Sequence, residues 1–236
     1  MGGAIILPLW FVFYFYTTSK PGYWQKPYSM SAASAQGLFI AFWVGYLIPT
    51  ILIYLPGFDT DTRQLLVAAW QPAPLYVNII WAILSRTLPG PETERPKAKF
   101  SSPTYWVKFL HTSVIITTTI FHWIMIYNCF FSKNPEVTFI NVLVPIFREE
   151  QTMSQGLLFI FQVDFWIIIV SGLLFAFISV GDLFELGMTN IDATTGAMFM
   201  LFLSHLLGPA AAISFVCIWR EDRMMHTAIK EAKKTK

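Results

Sequence analysis

Gly156-Leu157-Leu158-Phe159-Ile160-Phe161-Gln162-Val163-Asp164-Phe165-Trp166-Ile167-Ile168-Ile169-Val170 carries a single charged side chain, Asp164. The run reads as a helix that crosses a bilayer. A carboxylate at that depth costs roughly 2.5 to 3.5 kcal/mol on insertion scales, so it calls for a partner or a task. Taking a carboxyl out of water favours its neutral form. A neutral acid in an apolar, aromatic cavity is a proton donor for hydrocarbon chemistry.

The rest of the chain fits that setting. Of the 236 residues, 55% are hydrophobic and 13% charged, against about 25% charged in an average soluble protein. Apolar segments fall at 3–16, 32–55, 64–84, 106–131, 155–180 and 196–219. Crossing a bilayer takes about 20 residues, so the expected fold is all-α, a polytopic transmembrane helix bundle of about six spans. Residues 1–219 form one expected domain, and 220–236 a basic cytoplasmic tail. Turn-forming groups separate the segments: Lys20-Pro21-Gly22, Pro56-Gly57-Phe58-Asp59, Pro89-Gly90-Pro91-Glu92 and Ser132-Lys133-Asn134-Pro135. Phe139 to Phe147 is apolar but too short to span, so it lies at the interface or re-enters. The first segment is short and lacks a signal-peptide n-region. It is either a tilted anchor or the remainder of a chain with further helices upstream.

The net charge of +2 gives no ground for nucleic-acid binding. Cys129 and Cys217 sit in apolar segments and suggest neither a disulfide framework nor a zinc site. No metal–diphosphate motif, HExxH, GxSxG, GxGxxG or P-loop appears. No metal and no cofactor are therefore expected.

Alternation of the segments puts several polar groups at one depth. At 1.5 Å per residue, Asp164 and His122 each lie roughly 13 Å from segment ends that adjoin the 132–154 linker. Gln71 lies roughly 10 Å from an end on the same membrane side, and Tyr46 is comparable. In hydrocarbon each such group needs a partner, and they can supply one another if their faces turn inward. The plainer alternative for His122, Gln71 and Asn78 is helix glue. Glue is also the expected role of Gln162, because two residues along a helix place it on a different face from Asp164. Trp70-Gln71-Pro72-Ala73-Pro74 breaks its helix, since proline lacks the backbone donor. Broken backbone at membrane depth is tolerated beside protein or a cavity. Trp70, Trp123 and Trp166 lie too deep for an interfacial belt and could shield a cation. Glu149 and Glu150 sit at the mouth of the fifth segment, where an exposed helix start is the plain reading and a second acid the functional one.

Gly3-Ala4-Ile5-Ile6-Leu7-Pro8-Leu9-Trp10, Gly45-Tyr46-Leu47-Ile48-Pro49-Thr50, and Arg63-Gln64 leading to Trp70-Gln71-Pro72-Ala73-Pro74-Leu75-Tyr76-Val77 carry a likeness. They resemble the fungal integral-membrane terpene cyclases of meroterpenoid pathways, of the ascofuranone and macrophorin type. The match covers the first third of the chain, with a looser likeness around Asp164. The resemblance implies a metal-independent cyclase of the endoplasmic reticulum in secondary metabolism. It would protonate an epoxide or alkene on the prenyl chain of a hydrophobic, prenylated substrate held in the lipid phase. Asp164 would then be the acid, with Glu150 a second one near the mouth. His122 and Gln71 would tune or orient Asp164, and Trp70, Trp123, Trp166 and Tyr46 would line the substrate site. A proton-coupled transporter with Asp164 and His122 as relay groups is the first alternative. A non-catalytic membrane subunit is the second.

Overall fold

The computed structural model describes residues 2–20, 30–88, 103–147 and 152–234. Among them every regular element is helical: α1 Gly2–Thr18, α2 Ala32–Tyr54, α3 Thr60–Trp70, α4 Ala73–Thr87, α5 Pro103–Phe131, α6 Phe139–Leu143, α7 Met153–Glu185, α8 Ala193–Leu207 and α9 Pro209–Lys234. The starts of α2, α3, α6, α7 and α8 follow short polar residues that accept a bond from the first turn, as orphan amide donors require. Asp59 Oδ1 accepts from the Thr62 amide at 2.7 Å, and Asp192 Oδ1 accepts from the Thr195 amide at 2.8 Å. Thr152 and Gln155 form a reciprocal capping box at the head of α7.

Among the described residues three helices are long and apolar enough to cross a membrane: α2, α5 and α7. A fourth crossing is possible if α3 and α4, bent by 55° at Gln71-Pro72, act as one broken span. Helices Ala4–Thr18 and Ala193–Leu207 are apolar but shorter. The sequence segment 196–219 is not one helix. Gly208 stands at φ 91° and Pro209 cannot donate to His205, so the chain stops at Leu207 and restarts as α9. Residues 220–234, read from sequence as a tail, continue that same helix.

The chain divides into two compact units, 1–27 with 111–236, and 28–110. In the first, α7 packs against α1, α8 and α9 through small residues. A Cβ on Gly172 would lie 2.6 Å from Ile213 Cδ1, and one on Gly196 would lie 2.6 Å from Val180 Cγ1. Close backbone approach of this kind drives helix association where lipid removes the hydrophobic incentive. Ala176, Val180, Met200 and Val216 form its core, and Phe175 stacks on Phe11 with centroids 4.5 Å apart. Arg220 closes the far end by donating to the Tyr14 hydroxyl.

In the second unit, α2 and α4 lie against each other. Trp81 Nε1 donates to the Ser34 carbonyl at 3.0 Å, and a Cβ on Gly45 would meet the Val77 amide nitrogen at 3.0 Å. Gly45 belongs to a π-helical turn, Trp43–Leu47, set inside α2. Such one-turn bulges recur at functional sites.

Candidate functional site

Asp164 lies eleven residues into α7, roughly 16 Å from the helix start, and is half-buried. Its neighbours at two residues' distance are committed to another element. Gln162 is buried and donates from Nε2 to the carbonyls of Asn141 at 2.7 Å and Val142 at 3.2 Å. Trp166 Nε1 donates to the Leu143 carbonyl at 2.6 Å. These carbonyls close the five-residue helix α6, too short to satisfy its own last turn. Gln162 and Trp166 are four residues apart and share one face of α7. Asp164 is displaced from both by about 160–200° around the axis, so the acid sits on the face turned away from that clamp.

His122 and Trp123 on α5 meet the break between α8 and α9. His122 Nε2 lies 3.1 Å from the His205 carbonyl, Trp123 Nε1 donates to Leu206 at 3.1 Å, and Thr119 Oγ1 donates to Leu207 at 3.1 Å. A carbonyl only accepts, so His122 carries its proton on Nε2. Three side chains at positions i, i+3 and i+4 of one helix thus replace the amide donors that the Gly208-Pro209 break removes. The bond given to His122 therefore serves the backbone of α8. Trp123 has its indole N–H occupied while its ring is half exposed. With Thr119, Ile120, Ile124 and Tyr127 it lines an open apolar groove of ≈ 520 Å³.

Tyr46 and Trp70 meet in the second unit with ring centroids 5.8 Å apart. Thr50 links them: its Oγ1 accepts from Trp70 Nε1 at 2.8 Å and donates to the Tyr46 carbonyl at 2.7 Å. Gln71, next to Trp70, is exposed and lines a cleft of ≈ 530 Å³ with Phe58, Thr60, Arg63, Gln64, Val67 and Ala68.

The residues expected at one depth are thus divided. Asp164, His122, Trp123 and Trp166 belong to the first unit, and Tyr46, Trp70 and Gln71 to the second. Tyr46 and Trp70 stand beside each other. Trp166 and Trp123 have their N–H groups engaged as helix caps, and Glu150 lies outside the described residues. Sequence reasoning passed over Thr119 and Thr50, because a hydroxyl that caps a distant carbonyl leaves no spacing signal. At the first unit's far end, Glu221 is held above the ordinary carboxylate range, chiefly by burial, with Asp222 adding to the shift and Arg220 opposing it. Among the described residues no three of His, Cys, Asp and Glu are grouped to hold a metal.

A CtvD domain spans residues 1–226, nearly the whole chain. The chain belongs to the CtvD family. The family is one of fungal biosynthetic-cluster proteins. No curated protein and no solved structure matches the chain. Its three long apolar helices are consistent with membrane association for this CtvD chain.

Proposed function

We propose that this CtvD-family chain is a membrane-bound acid catalyst that protonates an epoxide or alkene on a lipophilic biosynthetic intermediate. In its specific form it is a terpene cyclase working on the prenyl chain of a meroterpenoid, in the endoplasmic reticulum membrane. The observation that carries the reading is Asp164, an acid placed mid-helix in an apolar α7, on the face opposite the Gln162–Trp166 clamp. The apolar groove beside Trp123 and Tyr127, in the same unit as Asp164, supports it. Its ≈ 520 Å³ lies within the range of small-molecule sites. In this reading α1, and α8 with the apolar start of α9 (209–219), complete about six crossings. Asp164 donates the proton, and half-exposed aromatic rings shield the cation that follows.

General-acid catalysis of this kind supplies about 10² to 10⁴ in rate. The test is Asp164→Asn in microsomes given a prenylated aromatic substrate with a terminal epoxide. Loss of product by at least about a hundredfold, with normal protein levels, is expected. Wild-type turnover in that variant removes Asp164 from the mechanism.

A second reading has its own observation. His122, Trp123 and Gln162 all act as helix glue, as a non-catalytic subunit would use them. It predicts that Asp164→Leu assembles normally and leaves the pathway's product unchanged.

A further inference from the structure

The cleft on α3 has a composition that the apolar surfaces around it do not share. Arg63, Gln64, Val67, Ala68 and Gln71 follow one another at helical spacing, and Phe58 faces them from the preceding turn. The result is a cation and two amides beside an apolar strip. The distance from Arg63 to Gln71 along the helix is about 12 Å. One Arg63 guanidinium nitrogen makes a long contact, 3.4 Å, with the Leu55 carbonyl. The nearby acids do not neutralise it at contact range. Asp59 is turned to the Thr62 amide of its own helix start, and Asp61 is two residues from Arg63, about 200° around the axis.

Guanidinium binds planar oxyanions through two parallel N–H···O bonds. A carboxamide can donate to one oxygen of such a group and accept from an adjoining hydroxyl. The volume of ≈ 530 Å³ suits one small molecule. We propose that this cleft binds the acidic head, a carboxylate or an ionised enol, of an amphiphilic small molecule. Arg63 pairs with the head, Gln64 and Gln71 hold its flanking oxygens, and its apolar part runs along Val67 and Ala68. The binding does not depend on the acid-catalyst reading.

The experiment is saturation binding to the full-length protein in phosphatidylcholine nanodiscs. The probes are a farnesylated hydroxybenzoate and its methyl ester, each corrected for partitioning into empty nanodiscs. The wild type should favour the acid over the ester by at least about tenfold, as charge-assisted bonds imply. Arg63→Gln should bring the two affinities together, and Arg63→Lys should retain part of the preference, since an ammonium supplies charge without the fork. Asp164→Asn should bind as the wild type does, so failure of the cleft and failure of the catalyst are read separately. Equal affinities in the wild type, a preference that survives Arg63→Gln, or no saturable binding of either probe overturns the proposal. Adding phosphatidylglycerol tests the other source of the same chemistry. If it displaces the acid from the wild type, the cleft holds a lipid head and the small-molecule assignment falls; if it does not, the assignment stands.

Discussion

Replacing Gly208 with alanine perturbs the junction between α8 and α9 at its tightest point. Gly208 sits at φ 91°, ψ 152°, in a region that residues with a Cβ almost never occupy, at a cost of order 1–3 kcal/mol. The new Cβ would also stand 3.0 Å from both Cβ and Cγ of His122. The ring must retreat by a few tenths of an ångström, which stretches its 3.1 Å bond to His205. Losing that bond costs about 1 kcal/mol more. The two effects together destabilise by about 2–4 kcal/mol. For a chain of this size that corresponds to a fall of about 5–15 °C in unfolding midpoint. Thermal unfolding in a mild detergent, followed by helical circular dichroism, reads the shift. Gly181→Ala is the control, because its Cβ would make only an ordinary 3.7 Å contact with Ala193. If Gly208→Ala unfolds within about 2 °C of Gly181→Ala, the strain and the His122 contact are not as described.

Trp166→Phe and Gln162→Leu should each loosen the Phe139–Leu143 helix by about 1 kcal/mol per bond lost. Hydrogen exchange over 139–147 should then quicken while the rest of α7 is unchanged. Trp70→Phe removes the donor to Thr50 but keeps the ring beside Tyr46, so stability should fall by about 1 kcal/mol, visible as a lower midpoint. The Asp192 carboxyl is held below its ordinary 3.8 by its bonds to Thr195. A lowered folded-state value means the cap contributes fully above 3.8 and is lost as pH falls beneath it. Asp192→Asn should therefore flatten that acid limb of the pH–stability curve. Glu221 behaves oppositely: its folded value lies above the ordinary 4.5, mainly through burial. Its ionisation weakens the fold as pH rises from 4.5 to the folded value. Glu221→Gln should raise the midpoint at neutral pH and remove that slope.

The helices were legible because their causes are local. Segments 32–55 and 106–131 coincide closely with α2 and α5, where apolar runs end at turn-forming residues. The break at Trp70-Gln71-Pro72 was readable from its prolines, and Gln162 as glue from its offset to Asp164. The division into two units was not readable, since both are equally apolar and no linker composition marks Leu110. The capping of residues 205–207 was hidden for another reason. It needed Gly208-Pro209 to be seen as a full stop, where the sequence suggested only a kink, and it pairs side chains with backbone more than eighty positions away. Depth along a segment does not specify partners of this kind: His122 finds a carbonyl at the α8–α9 break, and Gln71 the edge of a cleft.

The π turn at Trp43–Leu47 makes the length of this stretch as informative as its composition. Such a turn accommodates one residue more than an α-helical turn. Deleting one position from 43 to 47 would close that bulge into regular helix and leave Ile48–Tyr54 on the faces they now hold. Thr50 would keep its place at the Trp70 indole, and the change would fall on which side chain stands where Tyr46 does. A codon lost here would be absorbed by the backbone, where the same loss in a regular turn would swivel all that follows by about 100°.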